Sequence, residues 1–474
     1  MASVDVVVVG GGAAGLDVAN SLKAKGKSVL LLEQDARFGG RILTFRRELY
    51  REGEDLTSGL FGEAGAMRVL RRHARTIALT KKFNVPIQPY TEVNGNCYYY
   101  LRGNKGLLKD LSAATLVKCG VLSHEDIDLA ELPRGMDSDL DDFTGLCFGP
   151  MLADFNEHGW EYVGKKYDHH TLYDFLKTFN ATPRDAARGR LAWAVFELLF
   201  GTREKSVPRI SCMHEFAHYL SLKASDNVFE VVGGFDQLVS SLVAGIKEEA
   251  LLQRRVTHIE YTSDGATVTH VGPDGVAEQV KCRAVVVTAP FGLLHRGAIT
   301  FSPDLPTWKQ DMLAIQYSPA LKIFLRFKER FWESEGIYGG ITLTDLPLHS
   351  LHYPDKGHHH PNSSEGTLLC VYAIAADVEH WKALSEEERC RQALEQVAVV
   401  HGDHVKDLFL SGASQHWEFA YTLMRPGEFS RHEDVCRPVE CLHWAGEHAS
   451  ANHAWIEGAL DSSARVMDEL AYIF

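Results

Sequence analysis

The sequence predicts an α/β fold organised around a strand–turn–helix–strand unit at its N-terminus. Three observations predict it. Val6 to Val9 is a β-branched run suited to a buried parallel strand. Gly10, Gly12 and Gly15 follow in the spacing G-x-G-x-x-G. A second apolar strand, Val29 to Leu32, comes after a helix-compatible stretch and ends on Glu33.

Each part has a physical task. The first glycine lets the chain turn, the second lets backbone approach a pyrophosphate, and the third lets helix and strand pack closely. Leu16, Ala19, Asn20 and Leu22 keep helical spacing up to a stop at Gly26. Ala13 and Ala14 open that helix, where free N–H groups and the positive end of the dipole favour phosphate. Glu33 lies 18 residues after Gly15, where it can accept hydrogen bonds from ribose hydroxyls and repel a 2′-phosphate. The complete order predicts a Rossmann-type dinucleotide-binding unit. It does not separate FAD from NAD.

A chain of 474 residues predicts two or three domains. Its 45% hydrophobic and 24% charged residues are those of a soluble globular protein. A net charge of −14 without a basic stripe argues against nucleic acid or an anionic membrane as the main partner. No apolar run approaches the ~20 residues of a membrane helix. The first strand begins at once, with no signal-peptide core. The nine cysteines are scattered and free of C-x-x-C, so reduced thiols and a cytoplasmic location are expected. No metal is expected either. The acidic run 137–142 lacks calcium-loop spacing, His214 and His218 have no third ligand in sequence, and His358 to His360 read as a solvated loop.

Further along, Arg37-Phe38-Gly39-Gly40-Arg41 pairs glycines for close backbone approach with arginines able to neutralise phosphate. In Gly62 to Arg68, the small residues 64–66 let backbone lie flat against a planar ring. Arg68 offers a fork for a carboxylate, and by spacing alone it is equally a surface arginine opening a basic helix from Arg71 to Lys82. Residues 105–225 carry mainly helical signals, including Leu172, Phe175, Leu176 and Phe179 on one stripe and an apolar run from Leu191 to Phe200 closed by Gly201. Phe235, Leu238, Val239, Leu242, Val243 and Ile246 predict an amphipathic helix. Strand signals around Val256, Thr267 to Val271 and Ala284 to Thr288 return the chain to the first sheet. Leu321, Ile323 and Leu325 alternate with Lys322, Phe324 and Arg326. A lysine there reads as a solvated edge, unless its face lines a pocket, where burial lowers its pKa. Cys370, Tyr372 and Ile374 share a face, and spacing favours core packing for Tyr372. The last helix is striped by Ile456, Ala459, Leu460, Ser463, Val466, Met467 and Leu470, and its N-terminus suits negative charge.

Taken together, the dinucleotide motif, the R-x-G-G-R segment, Gly65-Ala66-Met67-Arg68 and the stretches AGEH and HAWIEGAL between 445 and 460 resemble flavin-dependent amine oxidases. Lys322 to Leu325, Phe331-Trp332-Glu333, Gly336 to Gly340, Thr344 to Pro347 and Tyr353-Pro354 resemble the L-amino-acid oxidase branch. The resemblance implies an FAD-binding domain (1–66, 226–300 and 436–474), interleaved with a mixed-sheet substrate domain (67–104 and 301–435) and a helical domain (105–225). It implies non-covalent FAD, because covalent members place a cysteine before the last helix and 445–456 has none. Residue by residue, Arg68 and Tyr372 would bind the substrate carboxylate, Lys322 would hold a water near flavin N5, and Trp455 would wall the substrate site. Gly40, Arg41, Gly65, Ala66, Met67, Arg68, Val256, Glu447, Trp455 and Ile456 would join the glycine motif and Glu33 around the cofactor.

The implied reaction is oxidative deamination of an L-amino acid by oxygen to a 2-oxo acid, ammonia and hydrogen peroxide, in a homodimer. Alternatives sharing the fold are an amine or polyamine oxidase, an amino-acid 2-monooxygenase and a binding protein like the GDP-dissociation inhibitors. The chain departs from the branch at Ala454, where glycine is common. Its Trp417 and Gly427-Glu428-Phe429 also alter a branch segment, so Glu428 receives no substrate role. The preferred side chain is not legible, although Tyr98 to Tyr100, Trp193 and Phe196 offer aromatic surface suited to large apolar substrates.

Overall fold

The computed structural model describes residues 2–56, 59–122, 148–178, 210–223, 227–356, 358 and 363–474. The acidic run 137–142, Phe179, the apolar run 191–200 with Trp193, Phe196 and the Gly201 stop, and His359 and His360 lie outside the described residues.

The β-branched N-terminal run becomes a central strand. Ala2–Val9 lies between Val29–Leu32 and Ala277–Val287, parallel to both, with Val6 opposite Val29 on one side and Ala284 on the other. Val6, Val7 and Val8 are fully buried, as a strand covered on both faces requires. Ala277–Val287 serves two partners on its far edge. Its first half pairs antiparallel with Gly265–Val271, and its last residues pair parallel with Leu442–Trp444. Both ends of the chain therefore meet in one eight-stranded sheet. Helices Ala13–Ala24, Asp236–Gly245 and Ile456–Leu470 cover one face, joining Leu16, Leu242 and Leu460 to Val6 and Val8. The predicted stripes of the last two helices are the faces they bury.

The second sheet has seven strands, in the order Phe409–Leu423, Gln316–Phe327, Gly366–Ile374, Ser350–His352, Ile341–Thr344, Tyr98–Leu101 and Asn104–Leu107. It is mixed, with one parallel step between Ile341–Thr344 and Tyr98–Leu101. Leu321, Ile323 and Leu325 pack under helix Glu386–His401. The opposite face, with Phe324, Leu369 and Ala413, packs on Phe45, Leu49 and Ala64 of the N-terminal part. The alternation read at 321–327 is real, but both faces are covered. The solvated-edge reading of Lys322 is thereby corrected, since its residue is 2% exposed.

Helices Ala113–Lys118, Gly149–Tyr167, Leu172–Thr178 and Cys212–Lys223 enclose a third core of Leu116, Met151, Tyr167, Phe175 and Phe216. Val69–Leu70, Ile87–Pro89 and Val228–Val231 form a small sheet of their own, and Val69, Leu79 and Val85 share the first core. The chain enters the second sheet only at Tyr98. No helix among the described residues is long and apolar enough to cross a membrane.

One buried carboxylate clasps helix Ala74–Lys82, whose own N-cap residue His73 supplies no capping bond. Glu457, 5% exposed, accepts from Arg75 N at 2.9 Å, Thr76 N at 2.8 Å and the Thr76 hydroxyl at 2.7 Å. It thus satisfies two of the helix's orphan donors. Glu457→Ala leaves them unpaired and is expected to cost about 2 kcal/mol. An unchanged urea midpoint would remove this account, and Glu457→Gln should recover part of the loss.

Candidate active site

A cavity of about 540 Å³ runs between the two sheets, from the glycine turn to the strand carrying Lys322. Gly10 has φ +109°, and a side chain there would meet the Thr288 hydroxyl at 2.5 Å. A Cβ on Gly15 would sit 2.0 Å from the Gly10 carbonyl oxygen. A Cβ on Gly12 would meet nothing within 4 Å, yet Gly12 lines the cavity. Protein packing thus demands the first and third glycines. The second is demanded by whatever fills the cavity. Helix Ala13–Ala24 has no side-chain cap, so its first-turn N–H groups remain for an anion. Ala13, Ala14, Glu33 and Val256 line the same end. Glu33 accepts from Gly11 N at 2.6 Å and Asp35 N at 2.8 Å. Burial raises its pKa, and those bonds oppose the rise.

The next segment divides its two arginines. Arg37 donates to the carbonyls of Gly40 at 2.6 Å and Ile42 at 3.1 Å, so it fastens its own loop instead of reaching a phosphate. Arg41 lines the cavity beside Gly40 and donates to Glu447 Oε1 at 2.7 Å and the Ala420 carbonyl at 2.9 Å. Glu447 also accepts from the Thr422 hydroxyl at 2.8 Å and Ala454 N at 3.2 Å. Burial works against its charge, but Arg41 and His453 outweigh burial and hold it well below the usual carboxylate range.

At the other end, a Cβ on Gly65 would lie 2.0 Å from the Arg41 carbonyl oxygen, which allows only glycine. Lys322 faces Tyr372 across one strand boundary and Gln415 across the other. Its Nζ donates to the carbonyls of Glu63 at 2.8 Å and Gly65 at 2.7 Å, and to Met67 Sδ at 3.2 Å. It lies 4.8 Å from the centre of the Tyr372 ring. Burial pushes the Lys322 ammonium down to about 7, with Glu63 opposing and Arg68 adding to the shift. Burial likewise raises the Glu63 carboxyl to about 7, although Phe235 N at 2.8 Å and the Thr44 hydroxyl at 2.9 Å donate to it.

Lys322, Tyr372, Ala66, Trp455 and Ile456 line the cavity. Tyr372 is therefore a wall residue, not the core residue its spacing favoured. Gly15, Met67 and Arg68 stand just behind the wall. Arg68 does not open the basic helix, which begins at Ala74. Its guanidinium pairs with Glu92 and lies 5.8 Å from the centre of the Tyr90 ring. It is close enough to charge-couple with Tyr372 and His352. Sequence reasoning missed Gln415, Phe419 and Tyr421, which line the cavity with Trp417. Trp417 Nε1 donates to the Ala64 carbonyl at 2.8 Å. Their period-two spacing was the available signal. Glu428 turns instead to Arg425, accepting from its backbone N and its Nε at 2.8 Å. Among the described residues, no cluster of three or more metal-ligating side chains occurs.

The flavin containing amine oxidoreductase family matches residues 13–471. The chain belongs to that family. An L-amino-acid oxidase of Demansia vestigiata is 26% identical to it, covering 97% of this chain and 85% of its own. One of Siganus canaliculatus is 28% identical, covering 97% and 84%. Among solved structures, a redesigned putrescine oxidase superposes with TM-score 0.76 at 18% identity over 100% of both chains. The cyclohexylamine oxidase of Brevibacterium oxydans gives 0.73 at 22% over 99% of both. At these identities the structures show the shared fold.

The cavity of this flavin-containing amine oxidoreductase fits FAD. Gly12 and the uncapped helix suit the pyrophosphate, Glu33 suits ribose hydroxyls, and the N-terminus of helix Ile456–Leu470 faces the far end. Gly12→Val should therefore fold normally with little bound flavin, whereas Gly15→Ala should lower the melting temperature itself. Visible absorbance and thermal melts of both variants separate the two glycines. If Gly12→Val loads flavin fully, the pyrophosphate assignment is wrong.

Lys322 makes a second testable demand. Its folded pKa of about 7 lies below its ordinary 10.5, so between those values the unfolded chain binds the extra proton. Its contribution to stability then rises with pH across that window, by at most about 1.4 kcal/mol per unit. Melting temperatures from pH 7 to 9.5 should climb less in Lys322→Met than in the parent protein.

Proposed function

We propose that the protein is an FAD-dependent oxidase of L-amino acids. It converts them, with oxygen, to 2-oxo acids, ammonia and hydrogen peroxide. What supports this reading is the Arg68 guanidinium behind the cavity wall, close enough to charge-couple with Tyr372, which lines the cavity with Lys322. A forked cation next to a hydroxyl suits a carboxylate, which a simple amine lacks. The relatives named L-amino-acid oxidases support the same reading.

When bound, the flavin supplies two-electron acceptance and the reaction with oxygen. The chain supplies the rest. Arg68 and Tyr372 grip the carboxylate and so fix the α-carbon, an orientation effect that can account for a large part of the rate. Trp455, Trp417 and Tyr421 wall the site with aromatic surface and exclude bulk water. Lys322, titrating near 7 among fixed carbonyl acceptors, holds or releases a proton at Nζ and positions a water for imine hydrolysis. Non-covalent FAD, the three-part division of the chain, a dimer and a cytoplasmic location belong to the same proposal. A second reading, an amine oxidase, is favoured by one observation. Glu92 already neutralises Arg68.

Arg68→Ala separates the two. Losing a charged two-point grip costs about 2–4 kcal/mol, or roughly 30- to 1,000-fold in kcat/KM for amino acids, with flavin content retained. Turnover of the corresponding decarboxylated amines should change little. Undiminished amino-acid oxidation in the variant would transfer the protein to the amine oxidases.

A further inference from the structure

Glu92 and Arg68 form an ion pair with side chains 32% and 25% exposed, and Arg68 directly follows Met67, whose Sδ lies 3.2 Å from the cavity-lining Lys322 Nζ. Glu92 is not free to wander. Thr91 before it donates to Asp355 through its N–H at 2.7 Å and its hydroxyl at 2.6 Å, and its carbonyl accepts from Gly340 N at 2.8 Å. Asn94 after it donates to the Tyr338 carbonyl at 3.0 Å. The backbone before Glu92 and the Asn94 side chain after it are both hydrogen-bonded, which holds the segment that presents the Glu92 carboxylate.

The pair engages Arg68 from one side only. Glu92 takes Nη1, and among the described residues it is the one hydrogen-bond acceptor on that guanidinium. A guanidinium carries five N–H donors. An arriving carboxylate can bind at Nη2 and Nε while Glu92 keeps Nη1. Charge then decides what else the substrate should carry. Arg68 and Glu92 together are neutral, so a bound carboxylate leaves one negative charge in excess, in a half-buried place where an unbalanced charge is costly. Among the described residues, the neighbouring cations already have partners. Lys322 lies against Glu63 and the carbonyls, and His358 is 3.1 Å from Glu230. The substrate's own α-amine must be neutral, so that its lone pair forms the imine as the α-carbon loses hydride. A cation further along the substrate restores the balance, and Glu92 is the group it would meet.

We infer that Glu92 is a specificity-determining residue that makes the site prefer L-amino acids with a cationic side chain. This rests on the amino-acid oxidase reading above. Arg68 holds the α-carboxylate, and Glu92, next to it, pairs with the side-chain ammonium or guanidinium of a lysine-, ornithine- or arginine-like substrate.

The test is anaerobic flavin reduction and steady-state turnover of the holoenzyme with L-lysine, L-arginine, L-norleucine, L-methionine and cadaverine. The expected ratio of kcat/KM for L-lysine over L-norleucine is about tenfold or more. Glu92→Gln should reduce that ratio by a similar factor, mainly through KM for the basic substrates. Glu92→Asp should keep most of it, which loss of structure would not do. A wild-type ratio near one overturns the inference. So does a ratio that Glu92→Gln leaves unchanged. A uniform gain for every amino acid in Glu92→Gln overturns it too, since Glu92 would then be an internal occupant of the clamp. Reduction by cadaverine while every amino acid fails refutes the amino-acid reading itself, and the inference with it. If Glu92→Gln loads flavin poorly, the wild-type ratio and Glu92→Asp still decide.

Discussion

The Arg41–Glu447 ion pair is the contact on which the assembly depends. It joins three pieces of chain remote in sequence: the loop after the second strand, the edge strand Phe409–Leu423 through Ala420 and Thr422, and the segment before the last helix. Glu447 is 5% exposed, so its desolvation is expensive. The expense is met by number. Arg41, a hydroxyl and a backbone N–H all converge on one carboxylate. Removing either charge strands the other, which in buried pairs costs about 3–5 kcal/mol. Arg41 also lines the cavity. The interaction that locks the interleaved parts together is therefore also part of the cofactor wall, and folding and cofactor binding are coupled through it.

What could be read in the sequence follows from distance along the chain. The stretch up to Glu33 is legible because each feature is local: a strand, a turn whose first and third glycines leave no room for a Cβ, a helix stripe, an acid at a strand end. Arg37 was misread because a loop arginine can reach a phosphate or its own carbonyls, and spacing does not choose. Lys322 and Tyr372 show a different limit. Alternation correctly put Lys322 with Phe324 on one face, but a period of two cannot say what covers that face. Only the stacking of Phe45, Leu49 and Ala64 onto it turns a supposed edge into a site. Glu92 left no trace at all, since its partner lies 24 residues away with no repeating interval between them.

The substrate end combines groups that would each prefer another environment. Lys322 and Glu63 are both shifted to about 7 by burial, in opposite chemical directions. Such groups exchange protons near neutrality at little cost, which suits a site where a substrate amine must shed one. Their positions are fixed by neighbours that do not titrate: the Glu63 and Gly65 carbonyls hold the lysine, and Thr44 and Phe235 N hold the acid. The pKa values are perturbed while the partners that hold both groups carry no charge that changes.

Ala454 extends the same logic to the backbone. It adopts φ +66°, where a non-glycine residue costs about 1–2 kcal/mol. Its N–H donates to Glu447, the carboxylate that also holds Arg41. The strain is thus maintained by a carboxylate that Arg41 and Thr422 also hold, and it falls on a residue that lines the cavity beside Trp455. A relaxed alanine would turn its carbonyl away from where it now stands, at the entrance to the last helix. Strain that persists at a cavity wall, held by a network already committed to the cofactor side, is more economically explained by a positional requirement on that carbonyl than by accident of folding.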